Sequence, residues 1–178
     1  MTTRLRSSRD YPQGVDVFAV ALADPGFHRA RLGEGGEVVA HRAAPGRVDV
    51  TVRQPIAAGA VPAPIAALLS GALVVTRTEH WTLGAERLDG AVEVVVPRAP
   101  VRSAGTMTVS SLPAGGCRLE LDVAVRVTVP LAGALVEPAV VGGIRALTAQ
   151  EHEHISAYLA GAGPSGAGPS GAGPVMDP

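Results

Sequence analysis

Cys117-Arg118-Leu119-Glu120-Leu121-Asp122-Val123-Ala124-Val125-Arg126-Val127-Thr128-Val129 is the stretch on which the fold turns. Every odd position is apolar, and every even position is polar, charged or alanine. A helix would scatter these side chains around its circumference, whereas a strand sends them to two opposite faces. A long run of this kind has one buried and one wet face, the signature of an antiparallel strand.

The same period recurs upstream. Val48, Val50 and Val52 alternate with Asp49, Thr51 and Arg53, and Val92, Val94 and Val96 lie opposite Ala91 and Glu93. Turn signals separate these runs: Ala44-Pro45-Gly46, Asp89-Gly90, Pro97 to Pro100, and Pro113-Ala114-Gly115-Gly116. Residues 2–10 alternate weakly and suit an edge strand. Over 14–23 the period changes, with Phe18 and Leu22 on one helical face. Asp24-Pro25 breaks that helix, and Pro25 opens a second one through Leu32. The last element is a helix over about 131–159, whose stripe carries Val140, Ile144, Leu147, Ile155 and Tyr158. The expected fold class is α+β: a curved antiparallel sheet of six to seven strands around a long C-terminal helix.

Composition excludes several functions. Apolar residues make up 47% of the 178, net charge is −1, and all 15 basic residues are Arg. Such a chain is no disordered polyelectrolyte and has no electrostatic footprint for nucleic acid. Aromatics at 3% argue against a stacking platform for bases. A lone cysteine, Cys117, allows no intrachain disulfide, and the polar N-terminus lacks the apolar core of a signal peptide, so a cytoplasmic protein is expected. Cys117 falls on the apolar face of its strand and reads as a buried thiol.

Two segments stand apart. Gly161-Ala162-Gly163-Pro164-Ser165 repeats twice more, the last time incompletely, with no bulky apolar residue until Val175. That composition cannot offset the entropy of ordering, so 161–178 is expected to be a disordered tail beyond a domain of 1–160. From Gln54 to Thr76 no residue is charged. Pro55, Pro62 and Pro64 argue against a spanning helix, because lipid cannot satisfy the backbone groups they free. A Pro-rich loop, a short helix over 63–69 and a buried strand are expected, and 56–70 remains available for peripheral membrane contact or docking.

The order of elements and several local words resemble the helix-grip fold of the START/SRPBCC (birch-pollen-allergen-like) superfamily. More narrowly, they resemble the actinobacterial family known as domain of unknown function 2505. The words are Asp10-Tyr11-Pro12, Ala23-Asp24-Pro25-Gly26-Phe27-His28-Arg29-Ala30-Arg31, Val74-Val75-Thr76-Arg77-Thr78-Glu79-His80-Trp81, Gly105-Thr106-Met107-Thr108 and Val129-Pro130-Leu131. The resemblance covers about 1–160. It implies a cavity between sheet and C-terminal helix, used in relatives for lipids, sterols or polyketides and in some for cyclisation, and it carries over no catalytic motif.

Over 73–83 the odd face reads Leu73, Val75, Arg77, Glu79, Trp81, Leu83 and is the more apolar. If it points inward, Arg77 and Glu79 lie inside, where a buried charge must be paired and an Arg is suited to grip a ligand carboxylate. The alternatives are an inverted face or a pair at an open sheet end. Glu151 falls in the stripe of the last helix. It is placed either to meet Arg77 across the cavity or, the simpler reading, on a helix end overhanging into water. His152 and His154 are about 200° apart on a helix and cannot chelate one ion, so a solvated terminus is expected there. No metal or cofactor motif is present. The remaining lining candidates are Val50, Val52, Val94, Val96, Met107, Val109, Leu121, Val123, Ile144 and Leu147, which either line a cavity or simply fill the core; the wealth of short Ala and Val side chains favours the cavity, because a wide gap between sheet and helix is then hard to fill. The leading expectation is binding of a hydrophobic small molecule. The alternatives are a polyketide cyclase-type enzyme using Arg77, Glu79 or Glu151, and an interaction module without ligand.

Overall fold

The strand on which the reading rests runs Cys117–Val127 and is paired antiparallel on both sides. The computed structural model describes residues 2–32, 35–56, 73–97, 101–127 and 133–161. In chain order these form β1 (Thr2–Tyr11), α1 (Val15–Leu22), α2 (Pro25–Leu32), β2 (Glu37–Ala44), β3 (Arg47–Ile56), β4 (Leu73–Leu83), β5 (Arg87–Val95), β6 (Val101–Ser111), β7 (Cys117–Val127) and α3 (Gly133–Gly161). The strands make one antiparallel sheet in the order β1-β7-β6-β5-β4-β3-β2. Five of its six neighbours are successive in sequence. The sixth, β1 against β7, brings the N-terminus beside the last strand.

The sheet curves around α3, giving an α+β helix-grip-like architecture. Gly105 sits mid-sheet, where a Cβ would run into the Asp122 carbonyl oxygen and the Val123 Cα; only glycine lets β6 and β7 approach this closely. At the β6–β7 turn Gly116 takes φ 80° and lies against the Tyr11 carbonyl, which an L side chain does not permit.

Side-chain period sorts the two faces. Arg4, Arg6, Asp122, Arg118 and Asp10 lie on the outer face and pair in water. The inner face carries Leu5, Val48, Trp81, Leu88, Val109, Val123 and Val125, all buried. α1 and α2 close one end of the sheet, burying Phe18, Leu22, Phe27 and Leu32. Tyr11, Phe18, Phe27 and Tyr158 form a chain of edge-to-face contacts there, with centroids 5.7, 5.8 and 5.2 Å apart. Those four are every Phe and Tyr in the protein. Apart from Trp81, aromatic filling is thus concentrated at the α1/α2 end.

The short helix expected over 63–69, Val140 of the expected stripe and the tail beyond Gly161 lie outside the described residues and side chains. Among the described residues, no helix is long and apolar enough to cross a membrane.

Candidate functional site

Four charged side chains meet under the sheet. β4 directs Arg77, Glu79 and Trp81 inward, α2 contributes Arg31, and α3 contributes Glu151. Glu79 is fully buried and the Arg31 side chain is 4% exposed; Arg77 and Glu151 are 18% and 21% exposed. Arg31 donates through Nη2 to Glu79 Oε1, through Nη1 to Glu79 Oε2 at 3.3 Å, and through Nε to Glu151 Oε1 at 2.6 Å. Arg77 grips Glu151 with both terminal nitrogens, Nη1 to Oε2 at 2.7 Å and Nη2 to Oε1 at 2.9 Å. Its Nε lies 2.8 Å from Glu79 Oε1 but makes no hydrogen bond there, which leaves that buried N–H without a partner among the described residues. Trp81 Nε1 completes the set by donating to Glu79 Oε2 at 2.9 Å.

Burial is the largest single influence on the protonation of this group, and the pairings together override it. Burial alone would raise the Glu151 carboxyl, but Arg77 and Arg31, by charge and hydrogen bond, hold it at about 2. Burial likewise opposes ionisation of Glu79, and Arg31 and Arg77 override it, so its pKa is also lowered. Burial disfavours the charged form of Arg31, yet Glu79 and Glu151 raise its pKa. The two carboxylates are therefore ionised at neutral pH and, facing two guanidiniums, leave the quartet without net charge.

His28 supports the quartet from α2. Burial first, then the charge of Arg31, lowers its pKa to about 4. Its Nε2 donates to the Leu22 carbonyl at 2.8 Å, which leaves Nδ1 as an acceptor facing Arg31 Nη1 at 3.5 Å.

The structure answers the questions left open above. The odd face of β4 points inward, and Arg77, Glu79 and Glu151 come together. The overhanging helix end proposed for Glu151 is wrong, because α3 lies against α2 and presses this turn onto Arg31. The solvated terminus fails for His152 as well: it is 7% exposed, with Nδ1 2.8 Å from the Tyr11 hydroxyl and Nε2 3.3 Å from Ser7 Oγ. His154 is half-buried, with Nδ1 3.4 Å from the Arg31 carbonyl.

Among the apolar candidates, Val50, Val52, Val96, Met107, Val109 and Val123 are buried. Val75, Val94, Leu121, Ile144 and Leu147 are only partly buried, although they lie on the inner face of the sheet or on α3. Arg77 belongs to this second group by position, since Val94 is its direct cross-strand partner. The less buried side of the quartet, Arg77 with Glu151, thus lies beside the partly buried Val94 of the inner face. A separate groove among Arg6, Ser7, Ser8, Thr106, Thr108, Glu120, Leu121 and Asp122 includes none of these four charges.

Arg31 and His28 were not singled out from sequence. Their signal was present: Phe27, His28, Arg31 and Leu32 are the buried residues of α2, a stripe at helical spacing interrupted by a charge, the same pattern that marked Glu151.

Fold and site together define a helix-grip-like protein with a neutral ion quartet set inside its sheet. The family model described as Protein of unknown function (DUF2505) matches residues 6–159, and the chain belongs to that family. No curated protein matches. Solved structures of similar fold include a conserved protein from Geobacillus kaustophilus (TM-score 0.60, 13% identity, covering 89% of this chain and 95% of that one). The Zhui aromatase/cyclase from Streptomyces sp. R1128 is similar too (0.59, 12%, 89% and 94%). So is the protein TTHA0849 from Thermus thermophilus (0.58, 18%, 88% and 97%).

Proposed function

We propose that this protein binds a hydrophobic small molecule, lipid or polyketide-like, between the inner face of the sheet and α3. The observation that carries the reading is the partly exposed Arg77–Glu151 edge of the quartet, set beside the partly buried Val75 and Val94 of the same inner face. Burying four charges is no economical way to stabilise a core, since well-packed apolar residues of similar volume do as well or better. Their presence under an apolar wall favours a role in recognition. The fold shared with an aromatase/cyclase and the resemblance to the START/SRPBCC superfamily support an interior ligand.

Acid–base catalysis is the weaker reading. A carboxyl held at about 2 is a poor base near neutral pH and cannot serve there as an acid. Titration with the neutral dye N-phenyl-1-naphthylamine tests the binding reading. Saturable one-site binding is expected, and Val94→Phe and Ile144→Phe should block it while leaving stability unchanged. Failure of the dye to bind overturns the reading. So does a loss of about 1–3 kcal/mol in both variants, the cost of overpacking a filled core.

A further inference from the structure

Resting on that reading, we propose that the polar group of the ligand is a neutral hydrogen-bond acceptor, a carbonyl or hydroxyl oxygen, and not a carboxylate or phosphate. Glu151 Oε1 accepts from both arginines and Oε2 from Arg77. Glu79 Oε2 accepts from Arg31 and Trp81, and Oε1 from Arg31 with Arg77 Nε close by. Both carboxylates are well supplied from within the quartet. The donors are in surplus: each terminal nitrogen of a guanidinium carries two N–H groups. Among the described residues, Arg77 uses one on Nη1 and one on Nη2. The second N–H on Nη2 lies on the Nε side, toward Glu79, whereas that on Nη1 points the other way and remains to be satisfied; Arg77 is also the less buried of the two arginines.

The site therefore offers donors to whatever lies beside Val75 and Val94. It does not offer net positive charge, because two arginines face two glutamates. An anion entering here would be desolvated without a counter-charge, and would have to displace Glu151 from Arg77 to obtain one. A neutral oxygen takes the spare Nη1 N–H at no such cost. This reverses the expectation that Arg77 grips a ligand carboxylate.

Three probes of one chain length separate the possibilities: cis-parinaric acid, its methyl ester and the corresponding alcohol, titrated by fluorescence into the full chain at neutral pH. The alcohol and ester are expected to bind tighter than the acid by about tenfold or more, about 1.4 kcal/mol. Glu151→Gln gives the quartet a net positive charge, and in that variant the acid should gain at least about tenfold relative to the ester. The wild-type comparison stands alone if the variant does not fold. Acid binding as tight as the alcohol and ester overturns this inference and leaves the interior-ligand reading intact. Binding of none of the three overturns that reading, and the inference with it.

Discussion

Replacing Glu79 by Gln removes one charge from the centre of the molecule with almost no change in shape. Arg31 and Arg77 are then left with Glu151 as their one counter-charge. The new amide NH2 also points donors at the Arg31 or Trp81 N–H groups that Glu79 Oε1 and Oε2 had accepted. Glu79 is fully buried, so water cannot compensate. Breaking a buried pair from one side costs about 3–5 kcal/mol, a large share of the 5–15 kcal/mol by which domains are stable. With a urea m-value of about 1–3 kcal/mol/M, the midpoint should fall by about 1–3 M or more. The control is Asp10→Asn, which breaks the Arg118–Asp10 pair at 44% and 52% exposure and should cost no more than about 1 kcal/mol. Equal effects of the two variants, both below about 1 kcal/mol, would refute the buried quartet.

Acidification should unfold the protein in two stages. The unfolded chain protonates histidine near 6.5 while His28 stays neutral in the fold down to about 4, so stability falls between those values. Glu151 ionises at about 2 in the fold against 4.5 ordinarily; its contribution is complete above about pH 4.5 and is lost as pH falls toward 2. Each stage is on the order of 3 kcal/mol, and urea midpoints across pH should flatten the upper stage in His28→Asn and the lower in Glu151→Gln. Tyr11→Phe removes the partner of His152 Nδ1 at 2.8 Å and should cost about 1–3 kcal/mol by chemical denaturation. Gly90→Ala places a Cβ 2.9 Å from the Trp81 ring. It should shift the emission of this sole tryptophan and cost about 1–3 kcal/mol.

Much of this fold was legible because it is written in local period. The strict alternation of 117–127 and the apolar odd face of 73–83 gave strands, faces and the inward aim of Arg77 and Glu79. The Asp24-Pro25 break placed α2 at its observed start. The site was less legible because its members meet only through tertiary structure. Arg31 lies 48 residues from Glu79 and 120 from Glu151, and nothing local says that α2 and α3 face each other over β4. His152 was read as solvated for the same reason: its partners, Ser7 and Tyr11, stand on the strand that returns from the far end of the chain. The gathering of every Phe and Tyr at one end is likewise a property of packing, which no local pattern carries.

The most direct test of the central claim is native mass spectrometry of the full chain purified from its own host. A discrete added mass that extracts into organic solvent as an apolar, uncharged small molecule is the predicted result. The bare chain mass in repeated independent preparations would contradict the account.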